Sequence, residues 1–452
     1  MQKKTPRPID YENEKNLTER LINELSEISG RDLNPDTFCL MPWTHISTLP
    51  QGEIKLCCRG QPPKSPKDGY DTYNGNPHVQ SNDFDLEEYW NSDYMNGVRE
   101  SLANGEKISQ CKNCWKMEDQ GIVSLRQNRM IDWQWEYDKD FNYIDNVVQW
   151  ANTGFTPFRI PLLELKLSNI CNFKCRMCWP KDSSLWATDW DRVAKYYDKE
   201  TQEYVENVHN IAGGKRLYNM FETNPKFIDK LVGLMEHVRE IEFAGGEPLL
   251  DPIHYRILSN IKHPEQVTLK YSTNLSKLKL NDEQNVIDLW QNFKDVKITI
   301  SIDGDSELNS KVRRGSDWET LKNNIKEVQN KLGNKISKIK GTTCISAHNA
   351  LALDKTAKAI ILELGIQWHT SRLQYPEFQH ANILPPEQLQ ESINGLLELK
   401  QYFYDNGLPR ANKYNVLHID NAIKWLEYCI KDNKNNSDKY NRFIEFNKEL
   451  DD

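Results

Sequence analysis

The chain has 452 residues and a formal net charge of −8 at pH 7, so it is long enough for one large core and one or two smaller ones. The acidic balance and the absence of a Lys/Arg-rich run disfavour a nucleic-acid partner. No apolar run has membrane-spanning length, and the N-terminus, MQKKTPRPIDYENEKN, lacks the apolar centre of a signal peptide, which predicts a cytoplasmic protein. Ten cysteines in a reducing compartment predict metal ligands rather than disulfides.

The first predicted elements are a helix and a hairpin. Leu17 to Ile28 has its apolar residues on one face of a helix. In FCLMPWTHISTLPQGEIKLCCRG, apolar residues alternate on both sides of a turn at Pro50 to Gly52. This hairpin would place Cys39 and Cys57 near its open ends.

A second pair of cysteines follows a predicted loop and helix. Gly60 to Pro77 is rich in turn residues, and Phe84 to Asn104 has a helical pattern. That helix leads into QCKNCWK, which contains Cys111 and Cys114. Four thiols from a hairpin and a C-x2-C pair predict a closed four-ligand site, which suits zinc as well as an iron-sulfur cube.

From Pro161 onward the pattern changes to strands alternating with helices, which is typical of parallel β/α units. An aromatic and acidic connector without an assigned role precedes this region, and a polar helical segment follows it. Six units of this kind predict an open (β/α)6 barrel. The predicted strands are Leu162–Leu167, Glu240–Phe243, Val267–Tyr271, Val296–Ile302, Ser337–Ile345 and Ile366–Leu373. The predicted helices between them are Lys226–His237, Ile253–Ile261, Glu283–Phe293, Trp318–Lys331 and Lys355–Leu364.

The first strand leads into LKLSNICNFKCRMCWP, which places Cys171, Cys175 and Cys178 at the spacing C-x3-C-x2-C. Three thiolates can bind three corners of one iron-sulfur cubane and leave the fourth iron open. Buried structural cysteines or a zinc knuckle are the alternatives, although zinc knuckles usually pair two C-x2-C units.

Polar residues and glycines follow the next strands. AGGEP comes after the second strand, and YSTN and SIDG end the third and fourth. Glycines there allow close backbone approach to a ligand, and a carboxylate can bind an ammonium group. Turn and N-cap roles are the alternative for the other polar residues. The long interval Lys181 to Asn224 predicts a substrate lid; its aromatic residues are Trp186, Trp190, Tyr196 and Tyr197.

These motifs together resemble the radical SAM superfamily. Its C-x3-C-x2-C loop usually has an aromatic residue before the third cysteine, where this chain has Met177. The resemblance implies a [4Fe-4S] cluster whose open iron binds S-adenosylmethionine (SAM), and one-electron cleavage of SAM to a 5'-deoxyadenosyl radical. It also implies SAM contacts from the GGEP loop and from strand-end residues, and a reductant such as a flavodoxin or ferredoxin. The implied SAM-binding residues are Gly245, Gly246, Glu247, Pro248, Ser272, Asn274, Ser301, Asp303 and Arg314.

A second resemblance concerns the N-terminal cysteines. Cys39, twelve residues, Gly52, four residues and Cys57 resemble the opening of SPASM and twitch modules, which hold auxiliary [4Fe-4S] clusters. Here the module precedes the barrel instead of following it. The Gly52 spacing selects Cys57 rather than Cys58 as the ligand beside Cys39, Cys111 and Cys114.

The predicted fold is α/β: an open (β/α)6 radical SAM partial barrel with an N-terminal twitch-like iron-sulfur domain and a helical C-terminal extension. The predicted regions are an N-terminal helical segment (1–35), the twitch-like domain (36–120), a connector (121–160), the barrel (161–376) and the extension (377–452). The resemblance implies a radical SAM oxidoreductase or maturase that modifies a peptide or protein oxidatively, with the auxiliary cluster as electron acceptor. The alternatives are dehydrogenation of a small metabolite, such as an aminocyclitol or nucleotide-type alcohol, and a non-catalytic iron-sulfur or zinc scaffold.

Overall fold

The structure is a computed structural model that describes residues 11–50, 52–60, 85–119, 121, 123–136, 144–211, 225–373, 375–406, 412–433 and 436–451. The predicted loop at 60–77, apart from Gly60, and the last part of the predicted lid, 212–224, lie outside these residues. The chain forms two compact units. Unit 1 comprises Met1–Leu165, Met220–Glu242 and Asn260–His263, and unit 2 comprises Lys166–Asn219, Phe243–Ser259 and Pro264–Asp452.

The secondary structure has the following bounds. The strands are β1 His45–Thr48, β2 Ile54–Lys55, β3 Leu162–Lys166, β4 Lys174–Cys175, β5 Glu240–Ala244, β6 Thr268–Thr273, β7 Asp295–Ser301, β8 Arg313–Arg314, β9 Ile336–Ile345 and β10 Gln367–Arg372. The α-helices are α1 Tyr11–Ser29, α2 Leu86–Trp90, α3 Asp93–Ala103, α4 Lys112–Asp119, α5 Leu125–Glu136, α6 Ile144–Thr153, α7 Trp190–Val193, α8 Lys199–Ile211, α9 Pro225–Gly233, α10 Pro252–Asn260, α11 Val286–Trp290, α12 Ser306–Val312, α13 Trp318–Leu332, α14 Leu353–Lys358, α15 Pro386–Asp405, α16 Asn412–Asp432 and α17 Ser437–Asp451.

In unit 1 the strand order is β5-β3-β1-β2. The predicted hairpin is confirmed, because β1 pairs antiparallel with β2 and Gly52 adopts φ 92° in the turn, a conformation that favours glycine. The parallel pairing of β1 with β3, in which Ile46 lies opposite Leu163, was not predicted. The core contains Phe38, Trp43 and Trp150, and α1 packs on α5 and α6.

In unit 2 the strand order is β10-β9-β7-β6, followed by the end of β5. These strands are parallel, so the predicted α/β architecture with a parallel sheet is confirmed. On one face of β7, Val296, Ile298 and Ile300 are buried, as expected where helices cover a parallel sheet. Side chains on the other face are half-buried and polar.

Three features of the described residues were not predicted from the sequence. The single helix predicted over 84–104 is broken into α2 and α3, because the Ser92 side chain caps the second helix by accepting from Met95 N. The short sheet of β4 and β8 was not predicted. The edge strand β10 is covered by α16, where Asn415 Oδ1 accepts from Trp368 N at 2.8 Å; covering an edge in this way protects it from unwanted pairing.

Among the helices that the structure describes, none combines the length and apolarity needed to cross a membrane.

Candidate cluster and cofactor sites

The three cysteines predicted to bind a cluster follow β3 on one loop of unit 2. Cys175 is buried, and Cys171 and Cys178 are half-buried. A hydrogen bond between Cys175 and Cys178 lowers the pKa of the first thiol and raises that of the second. Met177 is buried and packs with Phe173 against this group. Within the described part of the chain, no group of three or more His, Cys, Asp or Glu side chains is placed so that it could hold a metal ion.

The GGEP loop packs directly on the cysteine loop. Gly246 N donates to Ser168 O at 3.0 Å, and Glu247 N donates to Ile170 O at 2.6 Å. A Cβ atom on Gly246 would lie 2.2 Å from Ile170 O, and Gly245 has φ +118°. The close approach of the two backbones therefore requires glycines here, whether or not a ligand also binds.

Glu247 connects the GGEP loop to the end of β6. Its buried carboxylate accepts from Thr273 Oγ1 at 2.6 Å, Asn274 N at 2.7 Å and Leu249 N at 3.2 Å. Burial raises the pKa of Glu247 to about 7. The structure thus gives this carboxylate three donors within the chain, and Pro248 starts the buried turn that follows it.

The other predicted SAM-binding residues of β6 and β7 divide into two places. Ser272 lies opposite Thr299 and Ser301 lies opposite Thr342, so both serines belong to the half-buried face of the sheet. Asn274 is part of the cysteine-loop contacts instead, because its Nδ2 donates to Asn172 Oδ1 at 3.0 Å.

Asp303 is fully buried at the end of β7. Its Oδ1 accepts from Cys344 N at 2.7 Å, and its Oδ2 lies 2.7 Å from Arg313 Nη2. Arg313 was not selected from the sequence; its Nη1 donates to Cys175 Sγ at 3.6 Å. Arg314, which was selected, has its Nη1 3.9 Å from Asp189 Oδ2. Only the β4–β8 pairing distinguishes these adjacent arginines.

The aromatic residues predicted to form a lid are core residues, so that interpretation was wrong for them. Trp186, Trp190, Tyr196 and Tyr197 are all buried. Trp186 stacks on Phe446 of α17 at 6.3 Å, which shows that this segment supports the C-terminal helix. Trp186 Nε1 also donates to Cys175 O at 3.0 Å, and half-buried aromatic rings lie beside the same loop: Trp179 is 6.0 Å from Tyr204 and 5.9 Å from Tyr375.

The other four predicted ligands lie in unit 1, within electrostatic range of one another. Cys111 interacts electrostatically with Cys39, Cys57 and Cys114. Burial raises the pKa of Cys39 and of Cys57 to about 12. Cys58 lies near Glu164, Cys57, Glu242 and Arg129 instead. Cys57 and Cys58 lie in the turn that follows β2, and of the two only Cys57 interacts electrostatically with Cys39 and Cys114.

Backbone and side-chain donors surround these four thiols. Hydrogen bonds from the backbone of Arg59 and Gly60 to Cys57 lower its pKa, and one from Arg126 does the same for Cys114, although burial outweighs them. The Arg126 side chain is buried and forms a bidentate pair with Glu118, at 3.0 and 2.6 Å. It also donates to Phe38 O at 2.9 Å, which fixes the segment before Cys39.

A polar pair, His45 and Glu164, lies near the end of β2. His45 Nδ1 is 3.0 Å from Leu56 O, so it carries the proton, since a carbonyl oxygen only accepts. His45 Nε2 is 3.9 Å from Glu164 Oε2. Burial lowers the pKa of His45 to about 4.

Both cysteine groups have donor sets that suit iron-sulfur clusters. Thiolates are soft ligands for iron, and the thiols of each group lie near one another among buried residues, without the geometry of a metal site. Three thiols leave one corner of a cube for a further ligand, whereas four thiols fill every corner.

The comparisons with known proteins agree with the sequence resemblance. Residues 165–343 match the family model described as Radical SAM superfamily. The radical SAM cyclopropyl synthase TigE of Paramaledivibacter caminithermalis is 22% identical to this chain over 265 residues, which cover 58% of this chain and 50% of that protein. The chain thus spans about half the length of the curated relative it matches.

Two solved structures give weaker likenesses. The structure of anSMEcpe with bound AdoMet is 16% identical, covers 54% of this chain and 61% of that chain, and has a TM-score of 0.36. Streptococcus suis SuiB bound to S-adenosylmethionine is 13% identical, covers 72% of this chain and 64% of that chain, and has a TM-score of 0.32.

Proposed function

We propose that this chain, whose residues 165–343 match the Radical SAM superfamily model, modifies a peptide or protein oxidatively after abstracting a hydrogen atom from it. One observation carries the proposal: the GGEP loop is hydrogen-bonded to the backbone of the loop that holds Cys171, Cys175 and Cys178. The proposed cluster site and the proposed cofactor loop would thereby form one structure.

Cys171, Cys175 and Cys178 would bind three irons of a [4Fe-4S] cluster. When bound, the cluster and SAM supply one-electron cleavage of SAM and a 5'-deoxyadenosyl radical that abstracts hydrogen. Ser272 and Ser301, on the half-buried face of the sheet, are proposed to contact SAM. The other proposed contacts are Gly245, Gly246, Glu247, Pro248, Asn274, Asp303 and Arg314.

Cys39, Cys57, Cys111 and Cys114 would bind an auxiliary [4Fe-4S] cluster. Four thiolate ligands leave no open iron for a substrate, so this cluster would accept an electron rather than hold the substrate. The N–H groups that bond to Cys57 and Cys114 support this role, because hydrogen bonds to the sulfurs stabilise added negative charge.

The peptide or protein substrate is supported by the resemblance to SPASM and twitch enzymes. The relative TigE is named a cyclopropyl synthase, so bond formation within the substrate is the outcome we favour over simple dehydrogenation. The half-buried rings of Trp179, Tyr204 and Tyr375 would line the substrate side of the cysteine loop. A flavodoxin or ferredoxin would supply the electron.

The test is anaerobic reconstitution followed by iron and sulfide counts and an assay for 5'-deoxyadenosine under dithionite. We expect about eight irons in the wild-type protein and about four in Cys171→Ala/Cys175→Ala/Cys178→Ala, which should form no 5'-deoxyadenosine. Cys429→Ala is the matched control, because Cys429 is buried within α16 and should not change the count.

Three results would contradict the proposal. The triple variant could keep all its iron, the four-cysteine site could bind zinc, or a fully loaded wild-type protein could fail to cleave SAM with every peptide and small-alcohol substrate offered. The second result would remove the electron-acceptor role alone.

A further inference from the structure

A two-stranded ribbon brings an arginine to one proposed cluster ligand. β4 and β8 pair antiparallel with Cys175 opposite Arg313, and Arg176 N donates to Val312 O at 2.8 Å beside them. Residues that lie directly opposite in such a pair have side chains close enough to interact. The pairing therefore fixes Arg313 against Cys175 through the backbone.

The Arg313 guanidinium has two partners. Nη1 donates to Cys175 Sγ at 3.6 Å, and Nη2 lies 2.7 Å from Asp303 Oδ2. The Arg313 side chain is 12% exposed and that of Asp303 is 0% exposed. A charged donor with so little access to water is screened weakly, so its effect on the sulfur is large.

Asp303 is itself fixed by the chain. Its Oδ1 accepts from Cys344 N at 2.7 Å, and its own N–H donates to Asn309 Oδ1 at 2.8 Å. Gly304 follows at a position where a Cβ atom would lie 2.5 Å from Asn309 N. The carboxylate is therefore held in position to orient the guanidinium.

The neighbouring thiol has a different kind of donor. Cys171 Sγ accepts from the neutral backbone N–H of Phe173 at 3.4 Å. Charge-assisted hydrogen bonds are roughly twice as strong as neutral ones. Cys175 is thus the ligand through which a fixed positive charge acts on the site.

We propose that Arg313, held by Asp303, is a positioning residue that raises the reduction potential of the cluster bound by Cys171, Cys175 and Cys178. The inference rests on the proposed function, since it requires a cluster at these cysteines. Reduction adds one negative charge to the cluster, and a cation that donates to a ligand sulfur stabilises the reduced form. The arginine thereby brings the one-electron reduction within reach of a flavodoxin or ferredoxin.

The test is an EPR-monitored redox titration of the full-length, reconstituted protein. The relevant signal is the one that disappears in Cys171→Ala/Cys175→Ala/Cys178→Ala. We expect Arg313→Met to disfavour reduction about tenfold, a negative shift of about 59 mV for a one-electron couple. Arg313→Lys keeps the charge but not the two-sided geometry, so its shift should be smaller and in the same direction.

Lys174→Met is the matched control. Lys174 is adjacent to Cys175 and carries the same charge, but its Nζ lies 2.6 Å from Asp189 Oδ2 rather than on a cysteine sulfur. Its loss should leave the potential unchanged within error.

The outcomes separate the two proposals. Equal potentials in the wild-type protein, Arg313→Met and Arg313→Lys would overturn the inference, and so would a lower iron content with an unshifted potential, which indicates a purely structural role. If Arg313→Met does not fold, Arg313→Lys decides. If the wild-type protein has no signal that the triple cysteine variant lacks, the proposed function itself fails, and the inference with it.

Discussion

The two cysteine groups of this chain are held in place by different kinds of contact. Cys171, Cys175 and Cys178 lie on one short loop, whose backbone is bonded to the GGEP loop and whose Cys175 lies opposite Arg313 in a two-stranded ribbon. The other group is assembled from separate segments in unit 1: the segment before β1, the turn after β2, the turn Ser109–Cys111 and α4. A buried ion pair, Arg126 with Glu118, lies beside it.

The difference indicates how each group fails. In the first group the sequence itself sets the spacing of the three cysteines. The position of their loop depends on neighbouring backbones that leave no room for extra atoms. A group assembled from distant segments depends on the buried contacts that join them. We therefore expect added atoms at the backbone contacts to disrupt the first group. We expect the loss of a buried charge, or a lower pH, to disrupt the second.

The largest expected effect is that of Gly246→Ala. The added Cβ atom would lie 2.2 Å from Ile170 O, so the cysteine loop or the GGEP loop must move. Iron analysis after reconstitution should show loss of about four irons, with the four-cysteine site retained. Gly233→Ala is the control, since nothing lies within 4 Å of the added atom. Full iron in Gly246→Ala would show that the packing of the two loops does not hold the site.

The next effect concerns the adjacent thiols of unit 1. Cys57 interacts with Cys39 and Cys114, whereas Cys58 lies near Glu164 and Glu242. Cys57→Ser should lose about four irons and Cys58→Ser none, measured by iron and sulfide counts. The opposite result would mean that Cys58, and not Cys57, faces Cys39 and Cys114 from the turn after β2.

The periodicity of apolar residues predicted the strands well, but it predicted the ends of helices and the roles of aromatic residues less well. All six strands of the β/α region were predicted to within about two residues, because buried parallel strands have a strong apolar pattern. The break between α2 and α3 was missed, since Ser92 acts there through a capping hydrogen bond rather than through hydrophobicity. Trp186 and Tyr196 were interpreted as a lid, because sequence does not tell a buried aromatic residue from a ligand-facing one.

The site residues show the same limit. The cysteine spacing and the Gly52 spacing predicted two groups of ligands, and the described residues place the thiols of each group near one another without the geometry of a metal site. Arg313 could not be selected over Arg314, because the choice depends on the pairing of β4 with β8, two strands of two residues each. Contacts between segments far apart in sequence carry no local signal, and they decide these roles.

Loss of the buried ion pair in unit 1 should have a large effect on stability. The Arg126 side chain is 4% exposed and that of Glu118 is 13% exposed. Arg126→Met removes one partner of a buried pair, so we expect the free energy of unfolding to fall by about 3–5 kcal/mol. Urea unfolding followed by circular dichroism measures this. Lys107→Met breaks the exposed pair with Asp119, at 52% and 67% exposure, and should cost less than about 1 kcal/mol. Equal effects of the two variants would mean that the buried pair is not a structural contact of the four-cysteine group.

The smallest expected effect is an acid sensitivity of unit 1 at His45, which lies beside β2 and faces Glu164, Arg129 and Glu240. Burial lowers the pKa of His45 to about 4 from an ordinary 6.5. Between these values the unfolded chain binds more protons than the folded one, so stability falls as the pH falls. Between pH 7.5 and pH 5 the loss should be about 2 kcal/mol.

His45→Gln should remove that part of the slope in urea unfolding at each pH, while His263→Gln, at an exposed site, should not. Parallel pH profiles for the wild-type protein and His45→Gln would show that His45 titrates alike in the folded and unfolded chain.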